Sequence, residues 1–248
     1  MLPILYQSPS FILYSYPLLM GLGWGVAFQI FFALVPSNLS KRETQILFWG
    51  MFLCAWIGAK AFFLYTVPKI QSDQLFGQVS FWTGGGFVFY GGFIGAAAFV
   101  GIYHLLIKKL IPETFWAMVC ALTFGHAIGR LGCLMAGCCF GRETNLFWAI
   151  HLHGADRYPT QLLEALGLFF IGAHLLKAQV SKFKLICHYL IGYGVLRFFI
   201  EYLRGDIVRG QWWIFTPSQW MSLVMIIIGL VLTFRPFFIR SPDSHIKT

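Results

Sequence analysis

Arg130 stands inside an apolar run that begins at Phe115, and an unpaired cation within a membrane helix costs at least ~2.5 kcal/mol. A guanidinium kept there has an anionic partner, and its planar fork of donors suits a phosphate or carboxylate better than a lysine ammonium would. Gly125, Gly129 and Gly132 recur around it at helical spacing and leave one face without side chains, so another backbone or a lipid can come close. The stretch Gly125 to Arg142 therefore reads as an anion-binding centre around which the other segments are arranged.

A second constellation lies at Arg197, Glu201 and Arg204, positions i, i+4 and i+7, which share one helix stripe. An Arg197–Glu201 pair alone would be explained as a structural tie between helices, although burying ions for stability is rarely profitable. The further arginine points to an anion site. Upstream, Tyr158-Pro159-Thr160-Gln161-Leu162-Leu163-Glu164 opens another apolar run, with Thr160 expected as the N-cap and Gln161 and Glu164 on a shared face. Capping does not explain Glu164, an acid one turn further into lipid, so it is expected to face the interior and pair with one of the arginines.

Tyr90-Gly91-Gly92-Phe93-Ile94-Gly95 forms a smooth surface whose usual explanation is helix packing. Tyr90 is the nearest candidate there for a proton acceptor or hydrogen-bond donor. His126 reads as a histidine hydrogen-bonded to a neighbouring helix, and Lys60 as paired with an acid such as Glu201 or Glu164. Six cysteines are present, mostly in apolar runs where a thiol packs as a small hydrophobe. Adjacent Cys138 and Cys139 are poorly placed to share one zinc, and no histidine stands at a ligand spacing from them, so neither metal nor cofactor is expected.

These groups need helices that cross a membrane. The chain has 248 residues, 58% hydrophobic and 11% charged, with a mean hydropathy of +0.72, which excludes a water-soluble globular domain. At roughly 20 residues per span the length holds about seven helices in a single polytopic membrane domain. The spans are expected near 11–35, 46–67, 87–107, 115–137, 161–178, 185–203 and 218–234. The apolar runs are too long and unbroken for a β-barrel. No basic n-region precedes the first run, so no cleavable signal peptide is expected.

The net charge of +9 is spread over short loops without a patch, so nucleic acid is not an expected partner. Alternating sides along the spans puts ten basic residues on one side (Lys41, Arg42, Lys108, Lys109, Lys177, Lys182, Lys184, Arg235, Arg240, Lys247) and five on the other (Lys69, Arg142, Arg157, Arg204, Arg209). That bias orients an all-α protein with its N-terminus outside and its C-terminus cytoplasmic. The two longest outer connections, Ile70 to Gly86 and Phe140 to Thr160, are where irregular structure is allowed, and the second is polar enough to lie among head groups.

Four segments, in order, carry a resemblance. Tyr90-Gly91-Gly92-Phe93-Ile94-Gly95, Gly129-Arg130-Leu131-Gly132 through Gly141-Arg142, Arg157 to Glu164, and Gly192-Tyr193-Gly194 through Arg197, Glu201 and Arg204 are similar to the motifs of the prolipoprotein diacylglyceryl transferases. The resemblance covers nearly the whole chain. It implies a multi-pass protein of the bacterial inner membrane that transfers the diacylglyceryl group of phosphatidylglycerol to the thiol of a lipobox cysteine in a prolipoprotein signal peptide, on the outer side, releasing glycerol phosphate. It further implies that Arg130 and Arg197 hold the phosphate, that Glu201 and Glu164 orient those arginines, and that Arg142 and Arg204 guard the mouth. Gln161, Gly91 and Gly92 come with the motifs as substrate-binding positions. Cys133 and Cys138 fall at substrate-binding positions where the family usually has asparagine and glutamate, and Tyr90 falls at the catalytic position where it usually has histidine. A phenol with an ordinary pKa of ~10 is a poor base at neutral pH, so thiol activation is where this chain departs most from the pattern. The alternatives are a divergent paralogue with another acceptor, or a non-catalytic lipid-binding or transport protein, against which stands the lack of any inverted repeat.

Overall fold

The computed structural model of the chain describes residues 3–8, 11–66, 88–205 and 213–234. The connection Ile70 to Gly86 with its triple glycine, and the basic residues Lys69, Arg209, Arg235, Arg240 and Lys247, lie outside the described residues. Among the described residues there are seven α-helices: α1 Ser15–Leu34, α2 Lys41–Thr66, α3 Phe89–Ile102, α4 Pro112–Ala136, α5 Thr160–Lys177, α6 Lys182–Leu203 and α7 Pro217–Phe234. Five of them, α1, α2, α4, α6 and α7, are long and apolar enough to cross a membrane.

The helix ends follow local chemistry. Ser40 and Glu43 form a reciprocal capping box at the start of α2: the Ser40 N–H donates to Glu43 Oε2 at 2.7 Å and the Glu43 N–H to Ser40 Oγ at 3.2 Å. Pro112 and Pro217 open α4 and α7, where the missing N–H costs nothing and φ is already helical. Ser181 caps α6 by accepting from the Lys184 N–H. The expected N-cap at Thr160 is not found. Pro159 takes that place, and the Thr160 hydroxyl donates instead to the Cys139 carbonyl at 2.9 Å.

The first span is shorter than the apolar run that announces it. Phe11–Tyr14 forms a strand, β2, paired antiparallel with β1 Ile4–Ser8, because an aromatic and branched run fits a pleat as well as a helix. A second hairpin, β3 Ile150–Leu152 with β4 Ala155–Arg157, orders part of the connection expected to be irregular.

The residues group into two compact units, Leu34–Thr114 and Met1–Ala33 with Phe115–Thr248. In the first, α2 and α3 meet at very close range. A Cβ on Gly91 would strike the Gly58 carbonyl oxygen, and one on Gly92 would lie 3.2 Å from that of Ala55. This close approach is the helix packing expected of the glycine face. Lys60 is buried on α2, and α3 ends in a single wide turn, Tyr103–Ile107, closed by the Lys108 N–H on the Tyr103 carbonyl at 2.9 Å.

In the second unit the Gly125–Gly129–Gly132 stripe packs on α1. A Cβ on Gly23 would lie 2.9 Å from the Gly125 carbonyl oxygen, and one on Gly132 would lie 3.3 Å from Leu19 Cβ. A neighbouring helix thus covers these glycines, and Arg130 stands on another face of α4. At one end of this unit Trp116 donates from Nε1 to the Leu175 carbonyl at 3.1 Å, and Lys182 Nζ lies 3.5 Å from the Trp116 ring centre. The start of α4, the end of α5 and the start of α6 therefore share that end. The opposite ends of these helices gather the polar groups.

Candidate active site

Three helices deliver the charged cluster. On α4, His126, Arg130 and Cys133 stand at i, i+4 and i+7. Glu164 stands one turn into α5, and Tyr193, Arg197 and Glu201 follow one stripe of α6. Glu164 is the hub. Arg130 Nη2 lies 2.9 Å from its Oε1, Arg197 Nη1 lies 3.5 Å from its Oε2, and the Tyr193 hydroxyl donates to Oε1 at 3.2 Å. His126 Nε2 lies 4.0 Å from the same Oε1, with its ring edge-on to Tyr193. The sequence reading paired Glu164 with one arginine, and the structure gives it two.

The second carboxylate, Glu201, receives Arg197 Nη2 at 2.6 Å on Oε2 and the Thr216 hydroxyl at 3.0 Å on Oε1. Arg197 Nη2 also donates to Ser218 Oγ at 3.2 Å, from the start of α7. Arg204 Nε lies 4.0 Å from Glu201 Oε2. Glu164, Arg197, Glu201 and Arg204 are all buried. Arg204 thus belongs to the interior of the cluster. Arg142 is exposed and donates from Nε to the Arg204 carbonyl at 3.2 Å.

Within this cluster three guanidinium groups, Arg130, Arg197 and Arg204, meet two carboxylates, Glu164 and Glu201. One positive charge is left over in a site shielded from water, where Coulomb interactions are strong. Arg130 Nε is buried without a hydrogen-bond partner among the described residues, and an unsatisfied donor there is costly unless a ligand takes it. The arrangement is built to receive a further single negative charge.

The loop after α4 closes the site. Its helix ends in a left-handed Gly137, φ 73°, with the Gly137 N–H on the Leu134 carbonyl at 3.2 Å and the Cys138 N–H on the Cys133 carbonyl at 3.1 Å. That pair of bonds is a Schellman cap. Gly141 pairs with Arg204 and abuts Tyr158, whose carbonyl oxygen a Cβ on Gly141 would strike. Gln161 donates from Nε2 to the Cys138 carbonyl at 2.6 Å, so its amide holds the loop. The thiols of Cys133, Cys138 and Cys139 lie within 4.8 Å of one another. Hydrogen bonds from Cys133 and Cys138, followed by the charges of Arg204 and Arg130, hold the Cys139 thiol well below the usual thiol range. An apolar groove of about 410 Å³ runs along α5 and α6, lined by Gly167, Ile171, Gly192, Leu196, Phe199 and Leu203.

The sequence pattern of the prolipoprotein diacylglyceryl transferase family matches residues 3–235. The chain belongs to that family. Among similar curated proteins, a phosphatidylglycerol–prolipoprotein diacylglyceryl transferase of Finegoldia magna is 34% identical over 207 residues, covering 80% of this chain and 81% of its own. One from Actinobacillus pleuropneumoniae serotype 3 is 30% identical over 247 residues, covering 93% of this chain and 92% of its own. The transferase 2 of Clostridium perfringens strain 13 is 36% identical over 159 residues, and there the match spans 60% of this chain and 62% of the relative, less than two thirds of its length. Family membership makes the chain a transferase of lipoprotein biosynthesis, and its apolar helices make it a multi-pass membrane protein.

The structure brings together Arg130, Glu164, Arg197, Glu201 and Arg204, with Arg142 and Cys138 in the adjoining loop, Cys133 at the end of α4 and Gln161 at the start of α5. Tyr90 is the second residue of α3, and Gly91 and Gly92 face α2. Sequence reasoning gave no role to Tyr193, Thr216 and Ser218, and read His126 only as a histidine bonded to a neighbouring helix. A signal for two of them was present: His126 precedes Arg130 by four residues, and Tyr193 precedes Arg197 by four.

Proposed function

We propose that this chain transfers the diacylglyceryl group of phosphatidylglycerol to the thiol of a lipobox cysteine in a prolipoprotein signal peptide. The acceptor thiolate attacks the glyceryl carbon, the carbon–oxygen bond to phosphate breaks, and its electron pair leaves with glycerol phosphate. The phosphodiester carries one negative charge before the step and the leaving phosphate two, so charge grows where the arginines stand. The observation that carries this reading is Glu164 held between Arg130 and Arg197, in a buried cluster with one positive charge in excess. Arg130 and Arg197 hold the phosphate, Glu164 and Glu201 orient them, and the apolar groove on α5 and α6 takes an acyl chain. A thiol must lose its proton to attack. His126 supplies a nitrogen base within the cluster, and Tyr90 keeps the catalytic part that the resemblance gives its position, where the family usually has histidine.

The membrane arrangement we infer has seven spans, with the N-terminus outside, the C-terminus in the cytoplasm and the site facing the outer side of the inner membrane. The polar ends of α4, α5 and α6 lie away from the end marked by Trp116 and Lys182, and lysines at 177, 182 and 184 favour the cytoplasm for that end. Cysteines at 133 and 138, in place of asparagine and glutamate, favour a second reading in which the same lipid donor serves another acceptor.

The test is rescue of a bacterial strain lacking its own transferase. Restored growth with lipid-modified prolipoprotein is the expected result. Membrane-inserted protein that leaves the prolipoprotein unmodified overturns the proposal.

A further inference from the structure

The end of α4 and the loop that follows it hold three convergent sulfur atoms, to which the proposed transfer step gives no part. We propose that Cys133, Cys138 and Cys139 form a three-thiolate site for a thiophilic d10 cation such as Cu(I), Zn(II) or Cd(II), set beside the anion cluster. The reaction is coordination only: three thiols give up three protons, three metal–sulfur bonds form, and nothing is oxidised.

The geometry follows from the helix end. In a Schellman cap the residue three before the cap and the second one after it are brought side by side, usually as an apolar contact. Here those residues are Cys133 and Cys138, linked by the 3.1 Å bond from the Cys138 N–H to the Cys133 carbonyl. Cys139 then takes a left-handed conformation, φ 60°, uncommon for a residue with a side chain, and this turn adds its thiol to the other two. All three sulfur atoms lie within 4.8 Å of one another. Trigonal coordination at a metal–sulfur length of ~2.3 Å needs sulfur separations of about 4.0 Å, so sub-ångström adjustments bring them onto one ion. Sequence spacing hid this site, because adjacent cysteines alone offer no such geometry and the third ligand comes from the preceding helical turn.

Two further features make the cluster more than a chance meeting of small hydrophobes. The turn is held from outside by buried side chains: Gln161 donates to the Cys138 carbonyl at 2.6 Å and Thr160 to the Cys139 carbonyl at 2.9 Å. Both ligand-bearing residues are thus fixed at their backbones, which is how an outer shell orients a metal site. A tris-thiolate carries a net charge of −2 with a monovalent and −1 with a divalent ion, beside a cluster of three guanidinium groups and two carboxylates. Softness of the donor set selects Cu(I), Zn(II) or Cd(II) over Mg(II) or Ca(II). A bound ion would tie the end of α4 to the segment leading to Arg142.

The experiment uses the full chain, purified in detergent and reduced, titrated with Cd(II) as the probe. Thiolate-to-cadmium absorption should rise to saturation at one ion per chain, with proton release, and Zn(II) should compete. Cys133→Ser, Cys138→Ser and Cys139→Ser should each weaken binding by about tenfold or more, while Cys187→Ser, at a buried cysteine on α6, should leave it unchanged. Cys138 is exposed, so C138S keeps the test decisive if C133S fails to fold. Absence of the absorption band in the unaltered chain, or binding that survives C138S at full affinity, overturns the proposal.

Discussion

Arg130 Nη2 and Glu164 Oε1 lie 2.9 Å apart, each delivered by a different helix into a buried site. The same carboxylate turns its other oxygen toward Arg197 at 3.5 Å, so one acid fixes the spacing of two guanidinium groups. In the proposed reaction that spacing, more than either arginine alone, sets where the phosphate is held.

Removing the acid should therefore harm both stability and activity. Replacing Glu164 by alanine takes from Arg130 the carboxylate that it meets and leaves Arg197 with Glu201 alone, and breaking a buried pair in this way typically costs about 3–5 kcal/mol. Glu164→Gln keeps the shape and one acceptor. It should unfold at a temperature between those of the native protein and the alanine variant, with glycerol phosphate release reduced by about 100-fold or more. Thermal unfolding in detergent and a release assay check both. A glutamine variant with native turnover would remove Glu164 from its positioning role.

Arginine at 197 serves two carboxylates and a hydroxyl at once, through Nη1 and Nη2. A lysine offers one point of charge in place of a fork. Arg197→Lys should therefore lose turnover by about 100-fold or more while remaining folded. Reading kcat and KM separately decides the matter: a fall in kcat is expected, and a change confined to KM would show uniform binding only.

Proton removal from the acceptor separates His126 from Tyr90. His126→Asn should lower kcat by about 100-fold, the usual scale for a general base, and the loss should shrink as the assay pH is raised and the acceptor thiol ionises by itself. Tyr90→Phe should lower kcat less and keep the native pH profile. A tyrosine variant that shows the pH-dependent loss, with the asparagine variant unaffected, would exchange the two roles.

The glycine stripe of α4 tests packing apart from chemistry. Any side chain at Gly23 meets the Gly125 carbonyl at 2.9 Å from its Cβ, so Gly23→Val should destabilise by about 1–3 kcal/mol through overpacking. The folded fraction should retain native kcat, since Arg130 occupies another face. Loss of kcat without loss of thermal stability would tie the stripe to the substrate.

Much of this was legible in the sequence. Long apolar runs gave the helices to within a few residues, because helical length and apolar continuity are the strongest signals a membrane chain carries. Arg130, Arg197 and Glu201 stood out because charge within an apolar run demands a partner. What escaped depended on the third dimension. Phe11–Tyr14 read as helix because an apolar run has no period with which to refuse a strand. Helix packing at Gly91 and Gly92 was legible, and only the partner, α2, had to come from the structure. Cys133 stands five residues before Cys138, and the left-handed turns at Gly137 and Cys139 that join them leave no mark in hydropathy.

The most direct measurement combines the purified protein with phosphatidylglycerol and a peptide bearing a lipobox cysteine, and follows two products in one reaction. The account predicts one glycerol phosphate released for each diacylglyceryl mass added at the cysteine sulfur, with both lost together in Arg130→Ala while the variant stays folded. Native protein that yields neither product, or an Arg130→Ala variant that yields both at the native rate, would contradict it.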